Sequence, residues 1–369
     1  MSNVLIDPQE KHFRYLDSAR GIAAMMVCVM HFFERKYKGQ AINDYLSILF
    51  NGRDAVSFFF VLSGFVLSYK YLVLNKPLDL RKFFTARFFR LWPAYFTVLV
   101  VCCLAKFMNN HTMSWQKLGD IFIFNKEAFW EEAFLVRFHN KFFEAGWTLT
   151  FEMVASFLMP FYIIIARKDK KLITWLILIF IFIVGQNFFS TIHFLLGILI
   201  SCNFNFITHA DFKQSKWFKY RYGFIAIAIA VWPWRYYINI FHFGPTYKYL
   251  EDFFMFDAFH FTAFSSAVFL VLIIYNKLLQ RLLETKLAVY VGTLSYSLYL
   301  VHPLAISLVY DHIEKRVPAN NPNTVVAAMI IAYLILLFAG AWLLHQLIEA
   351  PAMAWGKKVI AKFKPGITV

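Results

Sequence analysis

Arg20 and His31 bracket the stretch RGIAAMMVCVMH, with mostly apolar residues between them. Eleven residues make about three helical turns, so both side chains project from one face, roughly 16 Å apart along the axis. A guanidinium is a permanent cation suited to anionic groups, and an imidazole takes or gives a proton near neutral pH. That pairing could anchor an anionic substrate at one end of a helix and deprotonate a hydroxyl at the other. It also suits a plainer arrangement, in which Arg20 snorkels to lipid headgroups and His31 bonds a neighbouring helix. Asp17 lies three residues before Arg20 and Glu34 three after His31. Each is spaced to pair with its neighbour, or to stand as an interfacial charge.

Further polar residues interrupt apolar stretches. In ARFFRLWPAYF, Arg87 and Arg90 share a helix face, an arrangement that can clamp a phosphate or act as a positive-inside stop. Pro93 suggests a helix break or kink there. GWTLTFEMVASFLMPFY carries Trp147 and, about one and a half turns in, Glu152, a candidate base or orienting carboxylate. In VLSGFVLS, Ser63 and Gly64 allow close helix contact, and no GxSxG element marks the serine as a nucleophile. SYSLYLVHPL places His302 near Tyr296 and Tyr299, and HQLIEAPAMAW places Glu349 before Pro351, which suits a helix stop. His193 and Arg235 stand alone and read as structural, and Arg53 with Asp54 as a surface pair.

The composition says what must position these groups. Of 369 residues, 60% are hydrophobic and only 16% charged, well away from soluble domains, which run about 45–50% apolar and 25% charged. The chain is read as an all-α, polytopic membrane bundle. The formal charge of +15 falls in short runs between apolar stretches, a topology pattern rather than a nucleic-acid footprint. Charged groups within a span cost about 2.5–3.5 kcal/mol each and usually face the bundle interior. Cys28, Cys102, Cys103 and Cys202 form neither a disulfide framework nor a metal-ligand pattern, so no metal is expected.

About ten spans are expected, at 18–36, 47–70, 91–108, 147–166, 172–188, 190–207, 223–241, 256–275, 287–310 and 324–347. With the N-terminus in the cytoplasm, cytoplasmic segments carry 23 Lys and Arg against 11 outside, which supports both termini inside. The layout is a cytoplasmic tail over 1–13, one membrane domain over 14–357 and a second cytoplasmic tail over 358–369. The longest external connection, about 109–146, is expected to dip into the membrane or form a lid. With every other loop short, any chemistry belongs to the bundle. The abundant apolar surface meets membrane lipids and says nothing of oligomeric state.

Six stretches occur in the order of one known family: YLDSARGIAAMMVCVMH, AVSFFFVLSGFVLS, RFFRLWPAYF, GWTLTFEMVASFLMPFY, SYSLYLVHPL and IEAPAMAW. Together they resemble the acyltransferase-3 family of integral membrane O-acyltransferases, over about Arg14 to Trp355. The resemblance implies His31 as catalytic base, with Glu152 beside it in the catalytic set. It implies Arg20, Arg87 and Arg90 as ligands of an acyl-CoA donor, acetyl-CoA above all. Asp17, Glu34, Ser63, Trp147, Tyr296 and His302 are the supporting residues. The family's WSLxxE element reads WTLTFE here, with Thr148 in place of serine. The implied acceptor is a cell-surface or lipid-linked saccharide, and the implied location a bacterial cytoplasmic (inner) membrane. A transporter with an intramembrane proton relay, or a non-catalytic sensor on the same bundle, is the rival reading.

Overall fold

The computed structural model describes residues 13–38, 40–109, 115–122, 129–137, 140–181, 189–234, 236–237, 248–313 and 322–364. Arg235 and the far ends of the fifth and seventh expected spans lie outside the described residues. Regular structure among the described residues is helical throughout. The main helices are α1 (Arg14–Lys36), α2 (Gly52–Leu72), α3 (Leu80–Asn109), α4 (Gly146–Lys168), α5 (Phe189–Cys202), α6 (Lys248–Tyr275), α7 (Lys286–Thr293), α8 (Ser295–Leu308), α9 (Pro322–Leu344) and α10 (Ala350–Ala361).

Among the described residues five helices are long and apolar enough to cross a membrane, or seven if each of two bent pairs counts as one span. Ten were expected. Helices Lys170–Ile179, Phe189–Cys202 and Arg221–Val231 fall in the fifth, sixth and seventh expected spans. Within the described residues these helices run 10 to 14 residues, about 15–21 Å.

Three boundaries differ from expectation for local reasons. Helix α3 begins at Leu80 rather than 91, because Asp79 caps it: its Oδ1 accepts from the Lys82 backbone N at 3.1 Å. Arg87 and Arg90 therefore lie inside the helix, which continues through Pro93 without ending. The ninth span is not straight. Helices α7 and α8 meet at Leu294 with a bend of 68°. The last span does not stop at Pro351. It passes through a π-turn at His345–Glu349 and resumes as α10, where proline in the first turn lacks an N–H that would have no intrahelical partner anyway.

Helix α1 runs unbroken through both Arg20 and His31 and packs against α2, α7 and α8. Its fully buried Ala24, Val27 and Cys28 occupy the turns between those two residues. Two crossings bring backbones together. A Cβ on Gly64 of α2 would meet the Phe194 backbone of α5 at 2.8 Å, as the small-residue reading of Ser63–Gly64 expected. A Cβ on Gly292 would lie 2.5 Å from the Asp17 carbonyl carbon, and one on Gly21 2.6 Å from the Gly292 nitrogen. The neighbour in each case is backbone and cannot rotate away. Gly292→Val is therefore expected to destabilise the fold by about 3 kcal/mol, the upper end for overpacking. A thermal midpoint in detergent checks this; a midpoint equal to wild type would mean that the two helices do not touch there.

The connection before α4 turns inward. Trp92 Nε1 donates to the Ala133 carbonyl at 3.0 Å, and Tyr95 Oη donates to the Glu132 carbonyl at 2.7 Å. Those α3 residues lie about 20–25 Å from its Asn109 end, so the segment descends deep beside the helix. The buried Glu132 carboxylate accepts backbone N–H bonds from Lys141, Phe142 and Phe143 at 2.6–3.0 Å. This fixes the turn that launches α4, and with it Thr148 and Glu152.

Candidate active site

A cavity of about 600 Å³ opens between α1, α2, α3, α4, the α7–α8 bend and the π-turn. Arg20, Arg87, Arg90 and Lys357 line it, against the carboxylates of Asp17 and Glu152. The excess of cations suits an anionic ligand.

Each arginine is held by a carboxylate. Arg20 bonds Asp17 at 3.1 Å within α1. Arg87 bonds Glu152 of α4 at 2.7 Å and donates through Nε to Ser156 Oγ at 3.0 Å. Arg90 bonds the buried Glu349 at 2.5 Å and stands 5.7 Å from the centre of the Tyr296 ring. A guanidinium carries five N–H donors. One or two satisfy the carboxylate and fix the plane, so others can meet a ligand.

The structure gathers most of the expected residues here. Ser63 Oγ points to Glu152 at 3.4 Å, and Tyr296 Oη donates to the Leu91 carbonyl at 2.6 Å. Glu152 thus belongs to the arginine end, where it orients Arg87. Trp147 packs its ring 5.9 Å from that of Phe151. Glu34 does not join the cavity; it pairs with Arg53 at 2.7 Å near the other end of α1. Arg53 thus has a partner other than the adjacent Asp54.

His31 does not line the cavity either. It meets His302 edge-on, ring centres 5.2 Å apart. His302 in turn lies 5.4 Å from the ring of Tyr299, which does line the cavity. His302 Nδ1 bonds the Tyr299 carbonyl at 2.6 Å. A carbonyl only accepts, so Nδ1 carries the proton, and in the neutral ring Nε2 is the acceptor. Tyr299 Oη and Thr148 Oγ1 lie 2.7 Å apart, and the Ala145 carbonyl is within 3.1 Å of both. This hydroxyl pair lines the cavity at one ring's remove from the histidines.

Sequence reasoning did not assign Glu349 and His345 to the site. Glu349 is 1% exposed and accepts from Arg90, from Ser297 Oγ at 2.6 Å, and bonds His345 Nδ1 at 3.0 Å. The signal available was a histidine and a glutamate at i and i+4 in an otherwise apolar helix. Thr148 was similarly passed over, although it is buried against Tyr299. His193, read as structural, is fully buried beside Phe60.

An acyltransferase-domain model of the acyltransferase-3 family matches residues 13–346. The chain belongs to the acyltransferase-3 family. No curated protein and no solved structure matches it. An acyltransferase-3 protein with several membrane-length apolar helices is an integral membrane acyltransferase. The matched region contains the arginine-lined cavity's Arg20, Arg87 and Arg90 together with His31 and His302, and ends inside the π-turn that carries Glu349.

Proposed function

We propose that this acyltransferase moves an acyl group, acetyl in the first instance, from acyl-CoA to a hydroxyl of a cell-surface or lipid-linked glycan. The observation that carries the reading is the adjacency of two sites: Tyr299 lines the arginine-lined cavity and packs against His302, which meets His31. The donor's phosphates lie among Arg20, Arg87, Arg90 and Lys357, and its thioester arm runs along α1 toward His31. The roughly 16 Å between Arg20 and His31 is a span that such an arm can bridge. To pass, it displaces the Tyr299–Thr148 contact.

His31 takes the proton of the acceptor hydroxyl as that oxygen attacks the thioester carbonyl. The C–O bond forms, the tetrahedral centre collapses, and the C–S bond breaks. The leaving thiolate recovers the proton from the imidazolium. Cys28, one turn from His31, is turned to the Leu298 carbonyl, which favours direct transfer over a cysteine acyl-enzyme. The excess of Lys and Arg in the segments assigned to the cytoplasm supports an orientation with the arginine end and both termini inside. His31, with Glu34, Arg53 and Glu144 acting on it electrostatically, then faces the acceptor side. A bacterial inner membrane, with about ten passages once the short helices are counted, accommodates this arrangement.

The test is ester-linked acetate on the surface glycans of a deletion strain with and without the wild-type gene. Loss on deletion and return on complementation is the expected result. Acetate unchanged by deletion would overturn acetyl transfer to surface glycans.

A further inference from the structure

The bend at Leu294 makes a second feature of the cavity wall. It exposes the first turn of the 14-residue helix α8 to the cavity, where Thr293, Ser295 and Tyr296 are lining residues. Ser295 is 1% exposed, and its Oγ has no hydrogen-bond partner among the described residues. An unpaired buried hydroxyl is costly, so one that lines a cavity marks a place for a ligand atom.

The surroundings select the ligand's charge. On one side Arg90 packs over Tyr296, the residue after Ser295. On the other, Gly292 is in backbone contact with Asp17 and Ser18, which brings the start of α1 and Arg20 to the same wall. The carboxylates around this turn are Asp17, already bonded to Arg20, Glu349, bonded to Ser297 and Arg90, and Glu152, bonded to Arg87. A helix start adds partial positive charge and backbone donors. A hydroxyl between two arginines at a helix start is suited to a phosphate oxygen. Ser295 also lies a full turn before Tyr299 in α8, hence on the arginine side of the hydroxyl pair rather than at the histidines.

We propose that Ser295 Oγ and the first turn of α8 form a phosphate subsite for the diphosphate of the acyl donor. The inference rests on the acyl-CoA reading above. It makes the helix break part of the binding machinery: a straight α7–α8 span would satisfy those backbone groups internally and leave no turn facing the cavity.

The experiment compares purified full-length wild type and Ser295→Ala in lipid nanodiscs. Acetyl-CoA affinity is measured directly, and inorganic pyrophosphate is titrated as a competitor. Expected are a roughly tenfold or greater loss of acetyl-CoA affinity, the scale of one hydrogen bond to a charged group, and a parallel loss of pyrophosphate competition. Because alanine removes an unpaired hydroxyl, the ligand-free thermal midpoint should stay level or rise, so a folding defect is not the expected cause. Acetyl-CoA affinity within twofold of wild type overturns the subsite. So does weaker acetyl-CoA binding with pyrophosphate competition unchanged, which would put Ser295 on the thioester arm. A wild-type protein that binds no acetyl-CoA at all overturns the donor reading itself.

Discussion

His31→Ala is expected to slow acyl transfer by about a hundredfold or more, the scale of a lost general base, while acyl-CoA binding and folding stay close to wild type. The geometry separates these effects. His31 is half-buried, outside the cavity lining, and among the described residues makes no hydrogen bond or ion pair. Its removal strands no buried partner, so the usual source of a large folding penalty is missing. His302 differs: it is 1% exposed and bonded to the Tyr299 backbone, so His302→Ala should lower both turnover and the thermal midpoint. The check is an initial-rate measurement against acetyl-CoA concentration in membrane vesicles that contain the native acceptor. A His31→Ala enzyme with wild-type turnover would remove this histidine from the chemistry. One with unchanged turnover and a raised KM would place it in donor binding instead.

Glu349→Ala is expected to be the most destabilising substitution at the arginine end. The Glu349 side chain is 0% exposed, whereas Glu152 retains 20%. Removing one partner of a fully buried ion pair costs about 3–5 kcal/mol, and the 28% exposure of Arg90 at the cavity puts this case at the low end. The larger part of the loss falls on the buried Ser297 and His345, which are left without their shared acceptor. Glu349→Gln keeps the shape and one carbonyl, so it should cost less, about 1–3 kcal/mol. Glu152→Ala removes a carboxylate that is itself 20% exposed, and Arg87 keeps its bond to Ser156, so this change should cost least. Thermal midpoints in detergent should therefore rise in the order Glu349→Ala, Glu349→Gln, Glu152→Ala. Equal midpoints for the two alanine variants would show that burial does not set the strength of these pairs.

What was legible in the sequence was local. Arg20 and His31 share one helix, so helical rise and pitch fix their common face and separation whatever surrounds them. The membrane class followed from composition, and the family likeness from short stretches in order. The length of 109–146 marked it as an unusual connection, but the bonds of Glu132 to 141–143 that hold its last part could not be read from the sequence. The Asp79 cap was also local, but the charged run after it hid the start of α3 from a hydropathy reading.

Tertiary structure decided the partners. Arg87 meets Glu152 across 65 residues, Arg90 meets Glu349 across 259, and His31 meets His302 from another helix. Helical periodicity orders residues along one axis and cannot say which faces of two helices will meet. The same holds for the bend at Leu294 and the π-turn at His345–Glu349. Both interrupt stretches that are uniformly apolar or nearly so, and each depends on what packs there: the Gly292 crossing in the first case, the burial of Glu349 against Arg90 and Ser297 in the second. Spacing along the chain set the cation and the base on one helix. Only packing between helices enclosed a cavity beside them, because enclosure requires walls supplied by residues hundreds of positions away.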